Sequence, residues 1–147
     1  MSTRQGMSLI VKTITNIVIG FIFIYGVYII LHGHLTPGGG FAGGVIIAGA
    51  FILRFLAFGS GAKSEKKSLT TASMFESAGG ILFIGIAILG LLLAGTFFLN
   101  FLPKGTPFHL LSAGIIPFCN IAISIKVGAG LFSIFLALAA MKYVMED

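Results

Sequence analysis

Few side chains in this 147-residue chain are of a kind that does chemistry, and the first to weigh are His32 and His34. Imidazoles ligate metals, but two residues apart on a helix they point to different faces, and no carboxylate or cysteine lies nearby in sequence. The other use of such a histidine is at the mouth of an ion path, because imidazole exchanges protons near neutral pH. Lys126 stands inside an apolar run, with Asn120 a turn and a half before it. A lysine near a helix centre costs about 2.5–3.5 kcal/mol on insertion scales, so Lys126 is expected to face protein or water and not lipid. There it is a candidate proton carrier or electrostatic gate for cations, against the plainer reading of a stem that snorkels outward and anchors the helix. Arg54 lies near the end of the second apolar run and Glu76 just before the third, so the two are expected at similar depth near one surface, where they can pair. On this reading no Asp or Glu lies inside an apolar core, and Lys126 must look to another subunit's carboxylate, backbone carbonyls, Asn120 or water.

Other constellations fall away on context. GGGFAG from Gly38 formally satisfies the G-x-G-x-x-G dinucleotide pattern, yet that fingerprint needs a preceding strand, and here a long apolar helix precedes it. Cys119 is the single cysteine, which excludes an internal disulfide and a cluster of thiolates within the chain. Apart from the histidine pair there is no nucleophile, acid–base pair or metal set, so a non-catalytic protein without cofactor or metal is expected.

The elements that must position these residues are membrane helices. Hydrophobic residues make up 57% of the chain and charged residues 9%, with a mean hydropathy of +1.11, against about 25% charged in ordinary soluble domains. The basic residues are scattered at the edges of apolar runs and not gathered with aromatics on one polar face, which argues against nucleic acid. From Ile14 to Leu31 the chain carries no charge, and eighteen such residues reach roughly 27 Å. A run of that length, with no small-x-small cleavage site after it, reads as a retained helix and not a signal peptide. The expectation is an all-α membrane protein, a single membrane domain over 1–147. Its helices are expected near 9–31, 41–58, 78–101 and 118–143, with loops at 32–40, 59–77 and 102–117.

Four crossings place both termini and the 59–77 loop on one side. Arg4, Lys12, Arg54, Lys63, Lys66, Lys67 and Lys142 belong to that side and Lys104 to the other, with Lys126 inside a helix. By the positive-inside rule both termini are expected to be cytoplasmic, with loops 32–40 and 102–117 external.

Glycine fills 21 positions, and in lipid its usual meaning is close helix packing. Pro37, Gly38, Gly39, Gly40, Gly43 and Gly44 form a turn-and-packing motif. Gly40, Gly44 and Ala48 recur at four-residue intervals on helix two, as Ala129, Ser133 and Ala137 do on helix four. Such stripes pair helices within the chain or face another subunit.

The stretch HGHLTPGGGFAGGVIIAGAFILRF, with PFCNIAISIKVGAG later, resembles the B subunit of Mrp-type (Mnh-type) multisubunit sodium/proton antiporters. The resemblance covers nearly the whole chain, although residues 59–112 contribute little to it. It implies a small accessory membrane subunit in a prokaryotic cell membrane, partnered by other membrane subunits, with Na+ and H+ as the ions moved. Similar subunits occur in archaeal membrane-bound hydrogenase and sulfane-sulfur-reducing complexes. Bacterial antiporter B subunits commonly carry an aspartate in a segment like L-F-D-I-G-V, where this chain has Asn120, a departure that points to the archaeal redox-complex type. The alternative is a stand-alone four-helix transporter or channel.

Overall fold

The computed structural model describes residues 7–59, 62–110 and 112–144, and among them the chain is four helices: α1 Leu9–Leu31, α2 Gly40–Phe58, α3 Ala62–Ala94 and α4 Ile116–Val144. Each is long and apolar enough to cross a membrane. Arg4, counted above, lies outside the described residues. All four helices turn large apolar side chains outward, among them Phe21, Phe41, Leu92 and Leu138. In water such a surface would drive aggregation, whereas in lipid it is the solvated face.

Within the chain α1 packs on α2, α2 on α4 and α4 on α3, while α2 and α3 do not touch among the described residues. The seams are made of small residues. Ala48, Ala50, Ala57, Ala87 and Ala122 are buried, and the largest side chain fully enclosed is Leu136. At the α1–α2 seam a Cβ on Gly26 would come within 2.8 Å of Ile47, and one on Gly43 would strike Ile30. At the α2–α4 seam a Cβ on Gly44 would lie 2.8 Å from the Ser124 carbonyl, and a Cβ on Gly128 3.3 Å from the Gly44 carbonyl. The stripe of Gly40, Gly44 and Ala48 is therefore spent inside the chain. The second expected stripe is not its mate: Asn120, Ser124, Val127 and Gly128 meet α2, whereas Ala129 and Ser133 are half-buried and Ala137 is exposed.

The third helix departs most from expectation. The polar stretch 59–77 is not a loop: α3 begins at Ala62 and runs 33 residues through it. No Pro or Gly interrupts the chain from Lys63 to Ser77. Moreover, the hydroxyls of Thr70, Thr71 and Ser77 donate back to the carbonyls of Lys66, Lys67 and Ser73 at 3.0–3.1 Å, which satisfies them within the helix. At its other end α3 stops at Ala94 and not near 101. Gly95 takes φ +76° and donates to the Leu91 carbonyl at 2.9 Å, ending the helix with a left-handed residue. The chain then folds back along α3, with the Phe98 ring 5.1 Å from that of Phe83 and Leu99 backbone against Gly90.

Asn100 fastens this returning segment to the start of α4. Its amide donates to the Ala113 carbonyl and its oxygen accepts from the Ile115 N–H, each at 3.1 Å. Ile115 is only 4% exposed, so its N–H has no ready water to fall back on. Asn100→Ala is expected to cost about 1–3 kcal/mol through the stranded backbone groups. Thermal melting of the purified protein should fall accordingly, and an unchanged transition would show that the segment is held by its phenylalanines alone.

Candidate functional site

The lengthened α3 changes where Glu76 lies. Ten residues on from Lys66, where the candidate span Lys66–Ala94 begins, the carboxylate stands about 15 Å along the helix, at the boundary between the polar stretch and the uncharged run 77–94. Lys126 lies ten residues past Ile116, again about 15 Å from the start of α4. Since α3 and α4 are neighbours, the two side chains meet: Lys126 Nζ is 4.0 Å from Glu76 Oε1. The expected Arg54–Glu76 pair does not form, and the expectation that Lys126 finds no acid in its own chain is overturned. Both errors have one cause, which is that α3 packs on α4 and not on α2, so Glu76 faces Lys126 and not Arg54.

Gly79 lets the two helices approach closely beside the pair. A Cβ on Gly79 would lie 2.7 Å from the Lys126 backbone nitrogen and 2.9 Å from the Ala122 carbonyl, so the helix backbones nearly touch there. The lysine ammonium lies over Gly80 and the Glu76 carboxylate over Gly130, 3.7 Å and 3.5 Å from the Cβ positions, which is ordinary van der Waals contact. The signal was present in the sequence as Glu76 with Gly79 and Gly80 at i+3 and i+4, and Lys126 with Gly130 at i+4. These spacings put each charge and its gap on one helix face. The pair is not enclosed by its own chain: the side chains are 55% exposed for Lys126 and 41% for Glu76. Its open side must meet lipid, water or another protein.

Arg54 is elsewhere. Its guanidinium lies over the Phe58 ring at 5.4 Å, with the Lys12 ammonium 6.0 Å from the same ring, at the end of α2 that adjoins the start of α1. Arg54 thus belongs to a basic surface cluster and not to the pair.

At the opposite end of the helices lies the glycine-rich turn. His32 caps α1, its Nδ1 3.0 Å from the Tyr28 carbonyl and its ring stacked on Tyr28 at 4.1 Å. His34 instead sets Nε2 3.3 Å from the His109 carbonyl in the connection between α3 and α4. The two histidines therefore turn to different partners, and the described residues hold no group of three or more His, Cys, Asp or Glu able to bind a metal. Pro37 and Gly38 are exposed, whereas Gly39 and Gly40 are buried at the start of α2. Gly39 has φ +98°, a conformation open to glycine and costly for other residues. Asn120 of α4 is wedged into this turn, its amide oxygen 3.5 Å from the Gly39 Cβ position and its backbone against Gly40. Asn120 Nδ2 and His34 Nδ1 are both buried without a hydrogen-bond partner.

Four apolar helices joined by close glycine seams, with one ion pair among the described residues half open on the chain's flank, define a small multi-pass membrane protein. Residues 10–133 match the family described as a domain related to the MnhB subunit of the Na+/H+ antiporter, and the chain belongs to that family. Among relatives, protein MJ1307 of Methanocaldococcus jannaschii is 36% identical over 129 residues, covering 82% of this chain and 48% of that protein. Protein mnhB2 of Staphylococcus saprophyticus, named as an antiporter subunit, is 49% identical over 49 residues, 33% of this chain and 35% of its own. A solved structure of the membrane-bound sulfane sulfur reductase, an archaeal respiratory membrane complex, contains a chain matched with a TM-score of 0.64 and 32% identity, over 93% of this chain and 60% of that one. The chain spans about half the length of MJ1307, 48%.

Proposed function

We propose that this chain is a small accessory membrane subunit of a multisubunit monovalent cation (Na+)/proton antiport module. It helps to assemble the ion-translocating unit and lines it with the Glu76–Lys126 pair. The observation that carries the reading is this pair, 4.0 Å apart and half open. Ionisable groups at such depth ordinarily face a wet cavity or another subunit, because lipid solvates neither charge. Likeness to the chain of an archaeal respiratory membrane complex supports a host of the hydrogenase or sulfur-reductase type. The other partners are the neighbouring membrane subunits and the bilayer, and Na+ and H+ are the ions moved.

Glu76 also supplies the embedded carboxylate that a stand-alone carrier would need, so that second reading must be tested and not merely set aside. In everted membrane vesicles, sodium-dependent proton movement should disappear when this chain is deleted from its complex and return when it is restored. Transport by liposomes holding the purified chain alone would instead support the independent carrier.

The termini are proposed to face the cytoplasm. With Cys119 replaced by serine, a cysteine at exposed Lys104 should react with an impermeant thiol reagent in intact cells, and one at exposed Lys66 should react only after lysis. The reverse pattern would invert the topology.

A further inference from the structure

The gap left between α2 and α3 is a trough floored by α4, with a volume of about 800 Å³. That volume falls within the range of about 300–1,000 Å³ usual for small-molecule sites. Its two ends differ in chemistry. Arg54 and Lys67 stand at one end with the hydroxyl-bearing Ser68 and Thr71, and Phe51, Phe55, Phe75 and Phe132 line the body. Lys12 adds a third cation beside Phe58 at the same end. Among the described residues the only ion pair is Glu76–Lys126.

We propose that this trough is a binding site for an anionic phospholipid, its phosphate held by Arg54 and Lys67 and one acyl chain laid along the phenylalanines. The order of groups along the trough repeats the order of groups along such a lipid. The cations sit towards helix ends, Arg54 four residues before the end of α2 and Lys67 in the early part of α3, which is the level of lipid phosphates, and basic pockets between helices at that level bind anionic headgroups. A protein helix in the same trough would have to bring its own acids to the membrane surface and fill the body with side chains. The lipid brings both parts in one molecule. Its acyl chain would also lie in contact with Ser124 and Gly128 of α4, close to the α2–α4 seam, so bound lipid should stabilise the fold.

The test uses the chain in its purified membrane assembly. Phosphatidylglycerol added to delipidated protein should raise the melting temperature, and phosphatidylcholine should not. The double variant Arg54→Gln/Lys67→Gln should bind phosphatidylglycerol roughly 30-fold more weakly, about 1 kcal/mol for each lost cation. Equal stabilisation by the two lipids, or equal response of variant and wild type, would overturn the proposal. Should the variant fail to assemble, a benzoylphenylalanine at Phe75 in the otherwise native chain decides the matter. On irradiation it should form an adduct of lipid mass. An adduct of protein mass would assign the trough to a neighbouring subunit, and no adduct of either kind would mean the trough is unoccupied.

Discussion

Glu76→Gln and Lys126→Met are each expected to damage the assembled protein, and the double variant Glu76→Gln/Lys126→Met is expected to assemble nearly as well as the wild type. The reasoning turns on what covers the pair. In the chain alone both side chains are substantially exposed, and an exposed pair in water contributes only about 0–1 kcal/mol. If neighbouring subunits close over it, removal of one partner strands a charge at a cost of about 3–5 kcal/mol, while removal of both leaves no charge to strand. The subunit reading therefore predicts strong non-additivity in complex yield. It predicts also that the double variant, though assembled, loses most of its sodium-dependent proton movement, at least tenfold. Glu76→Lys/Lys126→Glu, which restores opposite charges, should assemble better than either single change. Complex yield and vesicle transport for the set decide it: additive, small effects with normal transport would reduce the pair to a surface contact.

Gly40→Leu is the second large effect. A Cβ at this position would strike the Asn120 carbonyl and lie 2.9 Å from Asn120 Cα and from the Ile123 Cβ. Two of these three atoms are backbone, so no rotamer change relieves the clash and α4 must move away from α2. Overpacking of that kind costs about 1–3 kcal/mol for a small insertion, and a leucine adds three further carbons. The same substitution at Gly49 is the control, because nothing lies within 4 Å of its Cβ position. Membrane yield and melting temperature should fall for Gly40→Leu and stay near wild type for Gly49→Leu. Equal outcomes at the two glycines would mean that the α2–α4 seam is not as close as described.

These two sites also show what the sequence disclosed and what it withheld. Gly40, Gly44 and Ala48 announced a packing stripe through spacing alone, since small residues four apart on an apolar helix have few other uses. Ala129, Ser133 and Ala137 have the same spacing and do not make the α2 seam. The local pattern says that a face is flat, and only tertiary geometry says what it meets. The ends of α1, α2 and α4 follow from abrupt changes: Ser8 caps one, and Gly39 and Gly59 bound another. The start of α3 has no such break, because Lys, Ser, Thr and Glu are as compatible with helix as with loop when no Pro or Gly intervenes. Hydropathy marks where lipid begins, and for α3 that is not where the helix begins. The Glu76–Lys126 pair was missed because the register of α3 against α4 is set by their close approach at Gly79, which spacing along one helix does not disclose.

The central claim is that this chain works as one subunit among several, with the Glu76–Lys126 pair covered in the assembly. Purification of the tagged chain from its native membrane in mild detergent, followed by imaging of the particles, tests it most directly. The account predicts a complex containing several larger membrane proteins, with one of them or a water-filled cavity lying against Glu76 and Lys126. A chain that migrates alone or as a homo-oligomer, with the pair facing lipid, would contradict it.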